Sequence, residues 1–189
     1  MRLWTIQPVE VYEQIKRDGR YIFDYEKSDN VQDFSKQYKW LEHEMLARGI
    51  EKSHPEDSLV WAWYIYGGRG HKPDLRQSSY DTRGTKSVCM EIEIPDSRVL
   101  LSDFGSWHYV LNNWYLGDSE NESEWEKEQE WLDSLLPGER QKQIESSWQK
   151  VFDITPYTSN WRSNGQYVQA TFYNLFLEDI KRVQYFTCR

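Results

Sequence analysis

The chain has 189 residues, a formal net charge of -8 and a hydrophobic fraction of 38%, with 16% of it Phe, Trp or Tyr. That length fits one domain, and the large aromatic side chains let few residues bury the area a core needs, which excludes a disordered chain. No apolar run approaches the ~20 residues that cross a bilayer, and no signal-peptide stretch follows Met1, so a cytoplasmic location without a membrane partner is expected.

In chain order, residues 2–6 predict a first strand. Pro8 sits where a helix can begin, since its missing donor costs nothing there. Val9, Tyr12 and Ile15 follow at helical spacing up to Gly19. A short strand is expected over 20–23. A second helix, capped by Asp29 or Asn30, carries Val31, Phe34, Tyr38, Leu41 and Met45 as one apolar stripe and stops at Gly49. Residues 59–66 (LVWAWYIY) predict a strand covered on both faces. A basic loop over 67–85 sets Arg69, Lys72, Arg76 and Arg83 against Asp74 and Asp81.

Residues 87–94 alternate and predict a half-buried strand, with a further strand over 98–101. Ser102 or Asp103 then caps a helix carrying Trp107, Val110, Leu111 and Trp114. Between Asp118 and Asp133 eight acids stand against Lys127, so this one segment sets the low pI. Its expected form is a solvated helix or loop broken by Pro137 and Gly138, the other reading being an acidic recognition site. Ile144, Trp148, Val151 and Phe152 make a last helical stripe. A polar loop over 155–166, a strand over 167–176, a helical turn over 177–180 and a final strand over 181–187 complete the chain. Neither a regular β-α alternation nor all-β, this order predicts a single α+β domain with a mostly antiparallel, bent sheet and flanking helices. Within it, 117–138 forms an acidic insertion or helix. Cys89 and Cys188 are expected as free thiols on strands. No metal site is expected, because no second Cys or His stands at ligand spacing.

No glycine-rich phosphate loop, zinc-helix motif or nucleophile elbow is present. Three clusters are candidates for chemistry. Trp61, Trp63 and Tyr64 run into His71, Lys72, Asp74 and Arg76, an aromatic strand and basic loop that suit a planar anion such as a nucleotide; alternatively the rings are core and the loop merely solvated. Asp103, Trp107, His108, Asn112 and Asn113 form the second. His108 and Asn112 share a helix face, and Asp103 either orients His108 or caps the helix. Asn112 and Asn113 mark a helix end or a polar pocket. In the third, Gln169, Thr171 and Tyr173 point one way along a strand, lining a cleft or facing water, behind the loop Trp161-Arg162-Ser163-Asn164.

The strings LWTIQ, VWAWY, KPDLR, VLLSDFGSWHYVLNNWYL and QATFYNLFLEDI, spread over nearly the whole chain, resemble a bacterial family, domain of unknown function 3841. That resemblance implies a stand-alone bacterial protein and no particular activity. In element order alone, residues 3–23 and 169–186 are similar to the ADP-ribosyltransferase fold, in which an Arg or His on the first strand and a Glu on a late strand serve catalysis. Here Thr5 and Gln7 take the first place and Gln169 the second, and a glutamine supplies no carboxylate.

The leading expectation is therefore a nucleotide- or NAD-handling, ADP-ribosyltransferase-like protein. Asp103, His108 and Gln169 would be its catalytic candidates. Trp4, Gln7, Trp61, Trp63, Lys72, Arg76, Trp107, Asn112 and Thr171 would line its ligand site. The alternative is a non-catalytic module whose aromatic surface binds a peptide, glycan or protein partner. Nucleic acid is a disfavoured partner for so acidic a chain. The two readings separate on geometry: an enzyme gathers His108, Asp103, Arg76 and Gln169 in one cleft, and a module shows exposed aromatics without them.

Overall fold

Residues 1–21, 33–68, 72–76 and 82–189 are described by the computed structural model. Strand β1 (Arg2–Pro8) turns at Pro8 into α1 (Val9–Asp18), which ends at Gly19 with φ 78°, a left-handed residue that only glycine adopts without strain. Strand β2 (Arg20–Tyr21) follows. The rest of the strand expected over 20–23, the caps Asp29 and Asn30, and Val31 lie outside the described residues, as do Arg69, His71 and Asp81.

The second stripe is helical, as α2 (Ser35–Ala47). Its end is a Schellman motif, with the Ile50 N–H donating to the Met45 carbonyl at 2.9 Å and the Gly49 N–H to that of Leu46 at 2.9 Å. Strands β3 (Leu59–Tyr66), β4 (Lys86–Glu93) and β5 (Leu100–Asp103) precede α3 (Phe104–Leu111). The acidic segment forms α4 (Glu122–Ser134), buried at Leu132, half-buried at Glu128 and Gln129 and exposed elsewhere. Helix α5 (Pro137–Ser147) opens on its proline and runs into a 3-10 turn, Trp148–Phe152. A small hairpin, β6 (Tyr157–Thr158) and β7 (Ser163–Asn164), leads to β8 (Tyr167–Tyr173), β9 (Leu175–Phe176), a helical turn Leu177–Asp179 and β10 (Ile180–Thr187).

The strand expected over 167–176 is broken in two, because Asn174 takes φ 57° and redirects β9 onto β2. Residues 96–98 are a 3-10 turn, so the strand expected there starts at Leu100. Cys188 falls just past β10 rather than on a strand, and both thiols are free and buried. Burial pushes the Cys89 thiol up to about 11, which keeps it protonated and inert.

The main sheet has six strands in the order β10-β4-β1-β3-β8-β5, every pairing antiparallel. The fold is α+β. One face carries Leu3, Val60, Ala62, Met90, Ala170 and Phe172, closed by Ile15 of α1. The other carries Trp61, Leu100 and Tyr173, closed by Leu41 and Met45 of α2, Trp107 and Val110 of α3, Ile144 of α5 and Trp148. Helices therefore cover both faces of β8. The expectation that Gln169, Thr171 and Tyr173 line a cleft or face water fails for this reason; all three are buried. Strand β4, expected half buried, is buried at Val88, Cys89, Met90 and Ile92 alike. Among the described residues no helix is long and apolar enough to cross a membrane.

Candidate functional site

Strand register brings many of the expected ligand residues onto one sheet face. Trp4 stands opposite Trp63, Trp63 opposite Gln169, and Gln169 opposite Ser102. There they pack against neighbouring rings and side chains. Trp61 meets Trp107 at 5.3 Å between ring centroids, Trp63 meets Phe104 at 5.0 Å, and Trp4 is 6% exposed. Gln169 Nε2 donates to Ser102 Oγ at 3.1 Å in a buried pair, and Thr171 is fully buried on the Trp61 rung. Gln7 lies on the opposite face, its Nε2 donating to Thr5 Oγ1 at 3.0 Å.

Asp103 does not orient His108. It caps α3, accepting from the Ser106 N–H at 2.8 Å, and its second oxygen accepts from the Gly165 N–H at 2.8 Å. His108 is exposed, with Nδ1 2.9 Å from the Phe104 carbonyl oxygen. Asn112 Nδ2 donates to the His108 carbonyl, and Asn113 has φ 55°, so this pair marks the helix end.

Arg76 and Lys72 belong to the far side of the sheet. Lys72 Nζ donates to Gln184 Oε1 on β10 at 2.6 Å, and Arg76 lines an open groove beside Gln184 and Phe186. Five strand spacings separate β10 from the Asp103 strand, about 24 Å at the usual spacing. Arg76 is moreover engaged by Asp74, whose carboxyl its guanidinium holds down to about 2. The four polar groups expected to converge in an enzyme therefore do not meet.

A different cleft does form, of about 680 Å3, between α3, the loop after it, α4 and the β6-β7 hairpin. That volume lies in the range of small-molecule sites. Its aromatic wall includes Tyr109, Tyr115, Trp125, Tyr157 and Trp161. Trp125 and Trp161 are 48% and 45% exposed, unusual for side chains whose burial is so favourable. Two cations line it, and both are engaged. Arg162 donates to Glu120 at 2.6 Å and Asp118 at 3.1 Å and lies 5.1 Å from the Tyr157 ring. Lys150 pairs with Asp118 and sits 5.9 Å from the Tyr115 ring. Glu128 accepts from the Asp118 N–H at 3.2 Å, and its carboxylate packs so closely on Gly117 that a Cβ there would fall 2.0 Å from Oε2.

The hairpin wall is pinned from behind. Asn164 Nδ2 donates to the Asp153 and Thr155 carbonyls. Gly165 has φ 69°, and a Cβ there would lie 2.5 Å from the Ile154 carbonyl oxygen, so only glycine fits. The loop Trp161-Arg162-Ser163-Asn164 was legible as a candidate in the sequence. Trp125, Glu128, Lys150 and Tyr157 were not. The available signal was a tryptophan inside an otherwise charged segment, a large apolar residue with no stripe to join. Among the described residues no group of His, Cys, Asp or Glu is arranged to hold a metal.

The ion pairs give the cleft an acid limit. The ammonium of Lys150, then Arg162, holds the Asp118 carboxyl below its ordinary range, and hydrogen bonds from Ser159, Tyr157 and Arg162 do the same for Glu120. With folded values depressed, the unfolded chain binds more protons, so the stabilisation is complete above the ordinary carboxylate range and lost as pH falls through the lowered values. The melting temperature should hold from neutral pH to about 5 and fall below about 4. Burial pushes the Asp179 carboxyl the other way, so the informative quantity is the difference between parent and Asp118→Asn, measured by thermal melts at fixed ionic strength. The variant's acid limb should be shallower; parallel limbs would discount the pair.

The family model for the domain of unknown function (DUF3841) matches residues 2–181. No curated protein and no solved structure matches the chain. The match takes in every strand and helix that builds the cleft, and the chain belongs to the DUF3841 family.

Proposed function

We propose that this chain is a non-catalytic binding module whose ligand seats in the aromatic cleft, stacked on Trp125, Trp161 and Tyr157. The exposure of two tryptophans in a concave site carries this reading, since solvent-facing rings gain most when a ligand covers them. A nucleotide- or NAD-handling, ADP-ribosyltransferase-like role is the competing proposal. Its support is that ring and cation adjoin here, Arg162 over Tyr157. Against it, phosphate would have to displace Asp118 and Glu120 from Arg162, and three carboxylates of the lining, Asp118, Glu128 and Asp153, would face the anion.

Tryptophan fluorescence and thermal shift decide between them, with peptides, neutral oligosaccharides, NAD and ADP-ribose as probes. A ligand at 100 times its Kd stabilises by about 2.7 kcal/mol. The binding probe should lose at least tenfold in affinity on Trp125→Ala, with the melting temperature held within a few degrees because that ring is half exposed. Binding of NAD that survives Trp125→Ala would set this cleft aside.

A further inference from the structure

Resting on that reading of the cleft, we infer that its ligand is an organic cation, an ammonium or guanidinium group held between Trp125, Trp161 and the Glu128 carboxylate. The cleft shows this mode of recognition twice among its own residues. Arg162 lies on Tyr157 and pairs with carboxylates, and Lys150 lies near Tyr115 and pairs with Asp118. Each combines a ring face with an acid, the arrangement that attracts a cation through the ring quadrupole and the charge together.

The same ingredients recur beside them with no cation in place. Trp125 and Glu128 stand at i and i+3 on α4, neighbours on one helix face with about 5–6 Å between Cβ atoms. No lysine or arginine reaches salt-bridge distance of Glu128 or of Asp153 among the described residues. Ser119, also in the lining, is 8% exposed and keeps a hydroxyl without a hydrogen-bond partner, an acceptor for an N–H donor. Helix α4, which forms one wall of the cleft, also carries Glu122, Glu124, Glu126 and Glu130 against Lys127, a net negative charge that favours cations over anions nearby.

The cation has two sources, a side chain of a basic peptide or a free polyamine, and separate probes distinguish them. The full chain is titrated with a hexa-arginine peptide, spermidine, a neutral maltohexaose and NAD, reading tryptophan fluorescence at low and at 0.5 M salt. The expected result is binding of at least one cationic probe, weakened at least tenfold by Glu128→Gln, abolished by Trp125→Ala and reduced at high salt, with maltohexaose and NAD silent. The arginine peptide binding alone assigns a peptide segment, and spermidine binding alone a polyamine. Cationic probes that bind both variants as tightly as the parent would reveal unspecific attraction to α4 and overturn the inference. Maltohexaose or NAD binding through Trp125 while the cations stay silent would overturn it and leave the cleft reading standing. Silence of all four probes overturns the inference, and silence across the wider panel of peptides and ADP-ribose sinks the cleft reading with it.

Discussion

An Asp103→Ala variant should unfold about 2–4 kcal/mol more readily than the parent, read by urea denaturation. Both carboxylate oxygens are committed. One caps α3 through the Ser106 N–H, worth about 0.5–2 kcal/mol, and the other holds the buried Gly165 N–H, which costs about 1–3 kcal/mol when left unpaired. Asp103→Ser separates the two. A serine can still cap the helix, but its single oxygen cannot also serve Gly165, so it should recover only the capping part. Because Gly165 closes the hairpin wall, the alanine variant should also bind cleft ligands more weakly at temperatures where it remains folded. An alanine variant melting within a degree of the parent would remove this structural role and return Asp103 to the list of groups with chemistry to perform.

The same residue shows what sequence could and could not convey. Local signals sufficed wherever the physics is local. Gly49 after the Tyr38, Leu41 and Met45 stripe gave the end of α2, Asp103 before Trp107 gave a cap, and Pro137 with Gly138 gave the break after α4. Strand partners are a different matter, since nothing near Leu3 says that β1 lies between β4 and β3, or that β10 returns to β4 from the far end of the chain. The row Gln169, Thr171 and Tyr173 alternates like a surface strand, yet α2 and α3 close over that face. Period-two patterning reports which side chains share a face and not what covers it. The basic loop carrying Lys72 and Arg76 follows β3 directly in sequence, which suggested a shared site with Trp61 and Trp63. Lys72 is instead drawn to Gln184 at the sheet's opposite edge. The cleft was only partly visible, because Trp125 joins no apolar stripe. Its significance comes from the hairpin Trp161 occupies, about 36 residues away in sequence, which lines the same cleft and which no window of periodicity samples.

Trp148→Ala should cost about 3–5 kcal/mol and lower Tm by roughly 6–20 °C, the largest loss expected from any single substitution considered. Trp148 is fully buried in the core between the sheet and the helices, edge-on to Trp40 at 5.4 Å. Alanine removes its ring area and leaves a cavity that α2, α5 and the sheet are too constrained to collapse into. The residue also ties the core to the cleft. Its indole N–H donates to the Trp114 carbonyl at 3.0 Å, at the head of the loop whose residues from Tyr115 to Ser119 line the cleft. Trp148→Phe keeps much of the packing and removes that donor, so it should cost less, about 1–3 kcal/mol for the orphaned carbonyl and the smaller ring together. Its affinity for a cleft ligand should nevertheless fall, because the loop carrying Asp118 and Ser119 loses its fixed point. Denaturation and a ligand titration on the two variants separate the contributions. If Trp148→Phe binds as the parent does, the loop is held by its other contacts, the Leu116 N–H on Ser147 Oγ and the Asp118 ion pairs, and Trp148 acts in packing alone.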